Sequence, residues 1–84
     1  MSRVKTKDNT IQNFLSVMSH DILNDALDNK KLISTLNGDN KLFHQGKQLA
    51  YYEILTTICN RAHSFQIPLD LINLKNVDLD NDVA

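Results

Sequence analysis

Cys59 and His63 stand four residues apart, a spacing that puts both side chains on one face of a helix and makes half of a zinc site. A structural zinc takes four ligands, and the remaining histidines, His20 and His44, keep no finger-like spacing to this pair. A lone cysteine ordinarily packs as a small hydrophobe, so the pair is read as packing and no metal is assigned. Gly46-Lys47 has the last two letters of a phosphate loop, but Gln48 replaces the hydroxyl residue that would hold magnesium, and the upstream glycine is missing. Asp21, Asp25 and Asp28 form an acidic ridge along one helix; a facing helix that offers only Glu53 makes this a solvated face rather than a cation site. None of the three histidines has a serine and an acid at the spacing of a hydrolytic motif. Tyr51-Tyr52 could stack nucleobases, yet no basic patch accompanies them. No catalytic residue, cofactor or small-molecule substrate is assigned, and an enzyme is not expected.

The frame that carries these residues is small. With 84 residues one helical domain of two layers is expected, and chains of this size commonly need a disulfide, a metal or a second subunit to complete their core. One cysteine rules out an internal disulfide. The lack of cysteine pairs and of an apolar block behind Arg3, Lys5 and Lys7 predicts a cytoplasmic protein, and no apolar run reaches the roughly 18 residues of a membrane span. Net charge is −1, which makes nucleic acid an unlikely partner overall, although the ends differ in sign: Arg3, Lys5 and Lys7 at one, Asp70, Asp78, Asp80 and Asp82 at the other.

Residues 1–9 read as a flexible basic arm. From there Ile11, Phe14, Leu15, Met18, Ile22 and Ala26 share one helical face, and Leu32, Ile33 and Leu36 return to it, which predicts a first helix over 10–37 with Asn29 as an interruption. Asn37-Gly38-Asp39-Asn40 is the strongest turn signal in the chain. A second helix is predicted over 41–66, with Phe43, Ala50, Tyr51, Ile54, Leu55, Ile58, Ala62 and Phe65 on its apolar face and Pro68 setting its limit. Gly46 within it costs about 1 kcal/mol against alanine, and close approach of the two helices is the expected compensation. Residues 68–75 suit a short helix with proline at its first position, and 76–84 read as a loose acidic tail.

The fold class expected is therefore all-α: an antiparallel hairpin of two long helices plus a short C-terminal helix. Apolar positions exceed what one seam can cover. Val17, Leu23 and Leu27 flank the first stripe, and Leu42, Leu49, Tyr52 and Cys59 lie off the second. These seven are the candidate interface residues, and a homodimer forming a four-helix bundle is the expected way of covering them. The alternative is that residues 68–79 fold back over them within one chain. The functional expectation is a small, bacterial-type interaction or regulatory protein that works as a homo-oligomer, with an unidentified protein as a further partner. The competing expectation is a nucleic-acid-associated factor using the basic arm with Lys30, Lys31, Lys41 and Lys47.

Overall fold

A computed structural model describes the backbone of residues 2–84 and the side chains of residues 9–84. It is all-helical: α1 (Ser2–Ile33) and α2 (Gly38–Ser64) pack against each other, a 3-10 turn (Leu69–Ile72) packs on α1, and a short helix α3 (Leu79–Asp82) packs on α2. Helix α1 begins at Ser2 rather than near Thr10, so the expected arm is part of the helix; the side chains of Arg3, Lys5 and Lys7 lie outside the described residues.

Heptad spacing in both helices explains the pairing. The inward positions of α1 are Ser19, Ile22, Ala26, Asn29 and Ile33; those of α2 are His44, Gln48, Tyr51, Leu55, Ile58 and Ala62. Steps alternate between three and four residues, which keeps a straight seam on each helix. Leu55 and Ala26 are fully buried at its centre, and the small side chains of Ser19, Ala26 and Ala62 leave room for the opposite helix. Half of the apolar face expected for α2 points elsewhere: Phe43, Ala50, Ile54 and Phe65 are exposed, while the polar Gln48 is buried.

The turn falls earlier in the chain than the expected helix bounds place it, over residues 34–37. Helix α1 stops at Ile33, not Asn37, because two hydroxyls and two amides satisfy its last carbonyls. Ser34 Oγ donates to Lys31 O and Thr35 Oγ1 to Leu32 O, both at 2.7 Å, while the Thr35 and Leu36 amides donate to Leu32 O and Ile33 O. Gly38 adopts a positive φ of 61° and opens α2 directly, with Asp39 in its first turn where the helix dipole favours an acid. Gly46 does not mark a close approach: a Cβ built there meets nothing within 4 Å.

Helix α2 ends at Ser64, four residues before Pro68, in a left-handed cap formed by Gln66 (φ 57°), with the Ile67 amide donating to Ala62 O at 2.7 Å and the Gln66 amide to His63 O at 3.0 Å. After Pro68 the chain makes the same kind of ending again at Asn73 (φ 61°), where the Leu74 amide reaches Leu69 O. Asn73 Nδ2 also donates to Ser16 Oγ at 2.6 Å, which pins this corner to α1.

The acidic end is ordered rather than loose. Asp78 caps α3 through the Asn81 amide, and Asp82 Oδ2 accepts from the Asp78 amide at 2.9 Å, a reciprocal capping arrangement. Val83 beyond it is fully buried, as is Leu74 at 1% exposure. The C-terminal segment therefore folds back over its own hairpin.

Candidate interaction surface

A cluster of polar side chains fixes how the three layers meet. Asn29, 6% exposed near the C-terminal end of α1, spends both amide hydrogens on α2, donating to His44 O and to Gln48 Oε1 at 2.9 Å each. Its Oδ1 can only accept, so His44 Nδ1 carries a hydrogen and donates to it at 2.7 Å. Gln48 completes the chain of bonds by donating from Nε2 to Val83 O at 2.7 Å. One buried polar chain thus runs from the first helix through the second to the C-terminal segment, and Asn29 is a bonded part of the seam rather than an interruption of it.

The C-terminal segment has further ties to the same side of the hairpin. Lys30 Nζ donates to Asn81 O at 2.8 Å, and Tyr52 Oη donates to Asp80 Oδ1 at 2.5 Å. Donation to an ionised carboxylate, with the negative charge alongside, holds the Tyr52 phenol above its ordinary pKa of 10.0. Partial burial pushes the Cys59 thiol up in the same direction, which makes it a packed side chain rather than an activated nucleophile.

This changes which of the predicted interface residues are free. Leu23 belongs to the buried core, and Leu27, Tyr52 and Cys59 are partly buried against it; the chain's own C-terminal residues share that cluster. Leu42, Leu49 and Val17 stay exposed. The structure does not bring all seven together: Leu42 and Leu49 lie near the turn, Val17 at the middle of α1.

The larger open surface is one the sequence reading had assigned to the core. Ile11, Phe14, Leu15 and Met18, the N-terminal half of the α1 stripe, are exposed, Phe14 at 62%. Ile11 and Phe14 lie beyond the seam, because α2 ends at Ser64, while Leu15 and Met18 share a hollow with Thr57, Ile58, Arg61 and Ala62 of α2 that leaves them partly open. Phe65, at 75% exposure, joins Leu15, Met18 and Ile67 along one hollow; Ile11, Leu15, Ile67 and Leu71 line the next. Phe14, Val17 and Met18 line a third that is made by α1 alone. Shared residues make the three continuous. The overhang was legible in principle, since an apolar stripe that starts at Ile11 and a partner helix that must stop before Pro68 cannot stay in register to the end.

Other chemistry is sparse among the described residues. Asp25 and Asp28 border a shallow polar hollow with His44, Lys47 and Tyr51, and Lys47 Nζ sits 5.9 Å from the Tyr51 ring centre. No three histidine, cysteine, aspartate or glutamate side chains converge as a metal would need, so Cys59 and His63 gain no third ligand. Among the described residues no helix is long and apolar enough to cross a membrane. No family model, curated protein or solved structure matches the chain.

Proposed function

We propose that this chain is a non-enzymatic interaction protein of the cytoplasm, acting as a helical homo-oligomer through the apolar end of the hairpin. One observation carries the reading: Ile11, Phe14, Leu15, Val17, Met18, Phe65, Ile67 and Leu71 form a continuous exposed apolar surface in a chain whose own C-terminal segment covers the other flank. Those eight side chains expose on the order of 800 Å² at ordinary side-chain areas, well above the scattered apolar surface of a monomer and close to one partner's share of a standard interface. Chemistry competes poorly with contact as an explanation, because the polar side chains that do converge, Asn29, His44 and Gln48, are engaged with one another and with the backbone.

Light scattering coupled to size exclusion tests this. The expected result at micromolar concentration is twice the chain mass, reverting to a monomer of unchanged helicity in Phe14→Glu and in Phe65→Glu. A wild-type monomer across that range overturns the reading.

A further inference from the structure

Each long helix carries a second line of heptad positions. Positions 14, 18, 21, 25, 28 and 32 of α1 and 43, 47, 50, 54, 57 and 61 of α2 again alternate steps of three and four, roughly a quarter turn from the seam the two helices share. Two seams a quarter turn apart are what each helix of a four-helix bundle needs, one for each neighbour. The C-terminal segment is tied to the opposite flank of the shared seam, through Ser16 and Lys30 of α1 and Tyr52 of α2, and leaves these lines uncovered. Two hollows place both lines on one open side: Asp25, Asp28 and Leu32 meet Lys47 in the first, and Met18 meets Thr57 and Arg61 in the second. Charge divides this side along its length. Its α1 edge is acidic at Asp21, Asp25 and Asp28 and its α2 edge basic at Lys47 and Arg61; among the described residues the three acids and Arg61 form no ion pair within the chain.

We propose that the occupant of this side is a second copy of the chain, related by a two-fold axis along the length of the hairpin, so that α1 of each copy packs antiparallel on α2 of the other. A face with one acidic and one basic edge is complementary to itself under that rotation, which lays each acidic edge on a basic one. Turning the second copy end for end would instead lay acid on acid and base on base. The axis keeps every level of the hairpin in place, and Asp25, Asp28 and Lys47 already stand at one level within the chain, so both acids come to face Lys47 of the partner subunit. Near the turn Leu32 comes beside Phe43 of the partner subunit, and further along Met18 meets the aliphatic stem of Arg61 of the partner subunit. Phe14, Met18, Leu32, Phe43, Ile54 and Phe65 offer on the order of 750 Å² of apolar surface at ordinary side-chain areas, close to one partner's share of a stable interface. This arrangement rests on the self-association proposed above; it adds the orientation and carries the contact from the apolar end to the turn.

The test mixes two charge reversals that each spoil a homodimer and repair one another only across this pairing. Lys47→Glu and Asp28→Lys, each checked for helicity by circular dichroism, should each weaken self-association on the order of tenfold, because both symmetry-related contacts become like-charged. Mixed in equal amounts and read by native mass spectrometry, the two variants should form a heterodimer within about threefold of the wild-type dissociation constant, since one contact is then native and the other has its charges exchanged. Effects of either substitution within its own chain are the same in both kinds of dimer and cancel. Asp25→Lys in place of Asp28→Lys should behave alike. Glu53→Lys mixed with Lys75→Glu changes net charge by the same amounts at exposed positions off this side, and should show no preference for the mixed dimer. A mixture with no more heterodimer than chance, or a preference equal to that of the Glu53 and Lys75 pair, overturns the arrangement while leaving self-association standing. A wild-type monomer overturns both.

Discussion

Replacing Asn29 by alanine isolates what the buried polar chain contributes. The substitution removes the donor to Gln48 Oε1, the acceptor for His44 Nδ1 and a second donor to His44 O, at a site 6% exposed. His44 O remains within α2 and loses least, and the His44 ring is partly exposed and can turn to water. Gln48 is buried and cannot do the same. A buried acceptor left without its donor costs about 1–3 kcal/mol, and the small void left by the shortened side chain adds to it, giving about 2–3 kcal/mol in all. At roughly 0.05–0.15 kcal/mol per residue a chain of this length holds about 4–12 kcal/mol in total, so the loss is a large share. Urea unfolding at fixed protein concentration should show a lower midpoint with an unchanged slope, and the melting temperature should fall by about 10–20 °C. A double-mutant cycle with Gln48→Ala should return a coupling of about 1 kcal/mol or more. A loss under about 0.5 kcal/mol, or additive single effects, would refute the claim that this bond chain holds the seam.

Gly46→Ala should stabilise the protein by about 0.5–1 kcal/mol, because the position is helical, faces open space and gains propensity without a clash; thermal melting decides it. Val83→Ala should cost about 2 kcal/mol in urea unfolding, since both methyls removed are fully buried. The Tyr52 tie to Asp80 has a definite pH sign. A phenol whose folded pKa lies above 10.0 contributes stability that is complete below pH 10.0 and is lost as pH rises through the folded value, so the protein should become less stable only in strong alkali. Tyrosinate absorbance should show one tyrosine titrating late, and Asp80→Asn should abolish that lag.

The hairpin itself was readable because its helices are long and its turn is dense in Asn, Gly and Asp. What misled was treating apolar residues as the only markers of the inward face. Asn29 and Gln48 occupy heptad positions of the seam, and each reads as a flaw until the two are seen to satisfy each other. With them excluded, the best apolar face of α2 rotates toward Phe43, Ile54 and Phe65, which are exposed. The tail was missed for a related reason. Its acids looked like solvated charge, whereas Asp78, Asn81 and Asp82 stand at capping distances from one another and anchor Val83 just beyond. A capping signature after a short apolar pair was the available signal. The exposed stripe at Ile11–Met18 was visible as a stripe, but which segment would cover it depended on where α2 ended relative to α1, a question of length rather than of pattern.

Gln48 is shared by two interfaces of the chain, one with α1 and one with the segment that ends at Val83. Opening either interface strips one of its two bonds inside a buried site, so neither can open at the modest free energy usual for a peripheral helix of four residues. The C-terminal residues should therefore exchange their amide hydrogens together with the centre of the hairpin rather than ahead of it, as one cooperative unit.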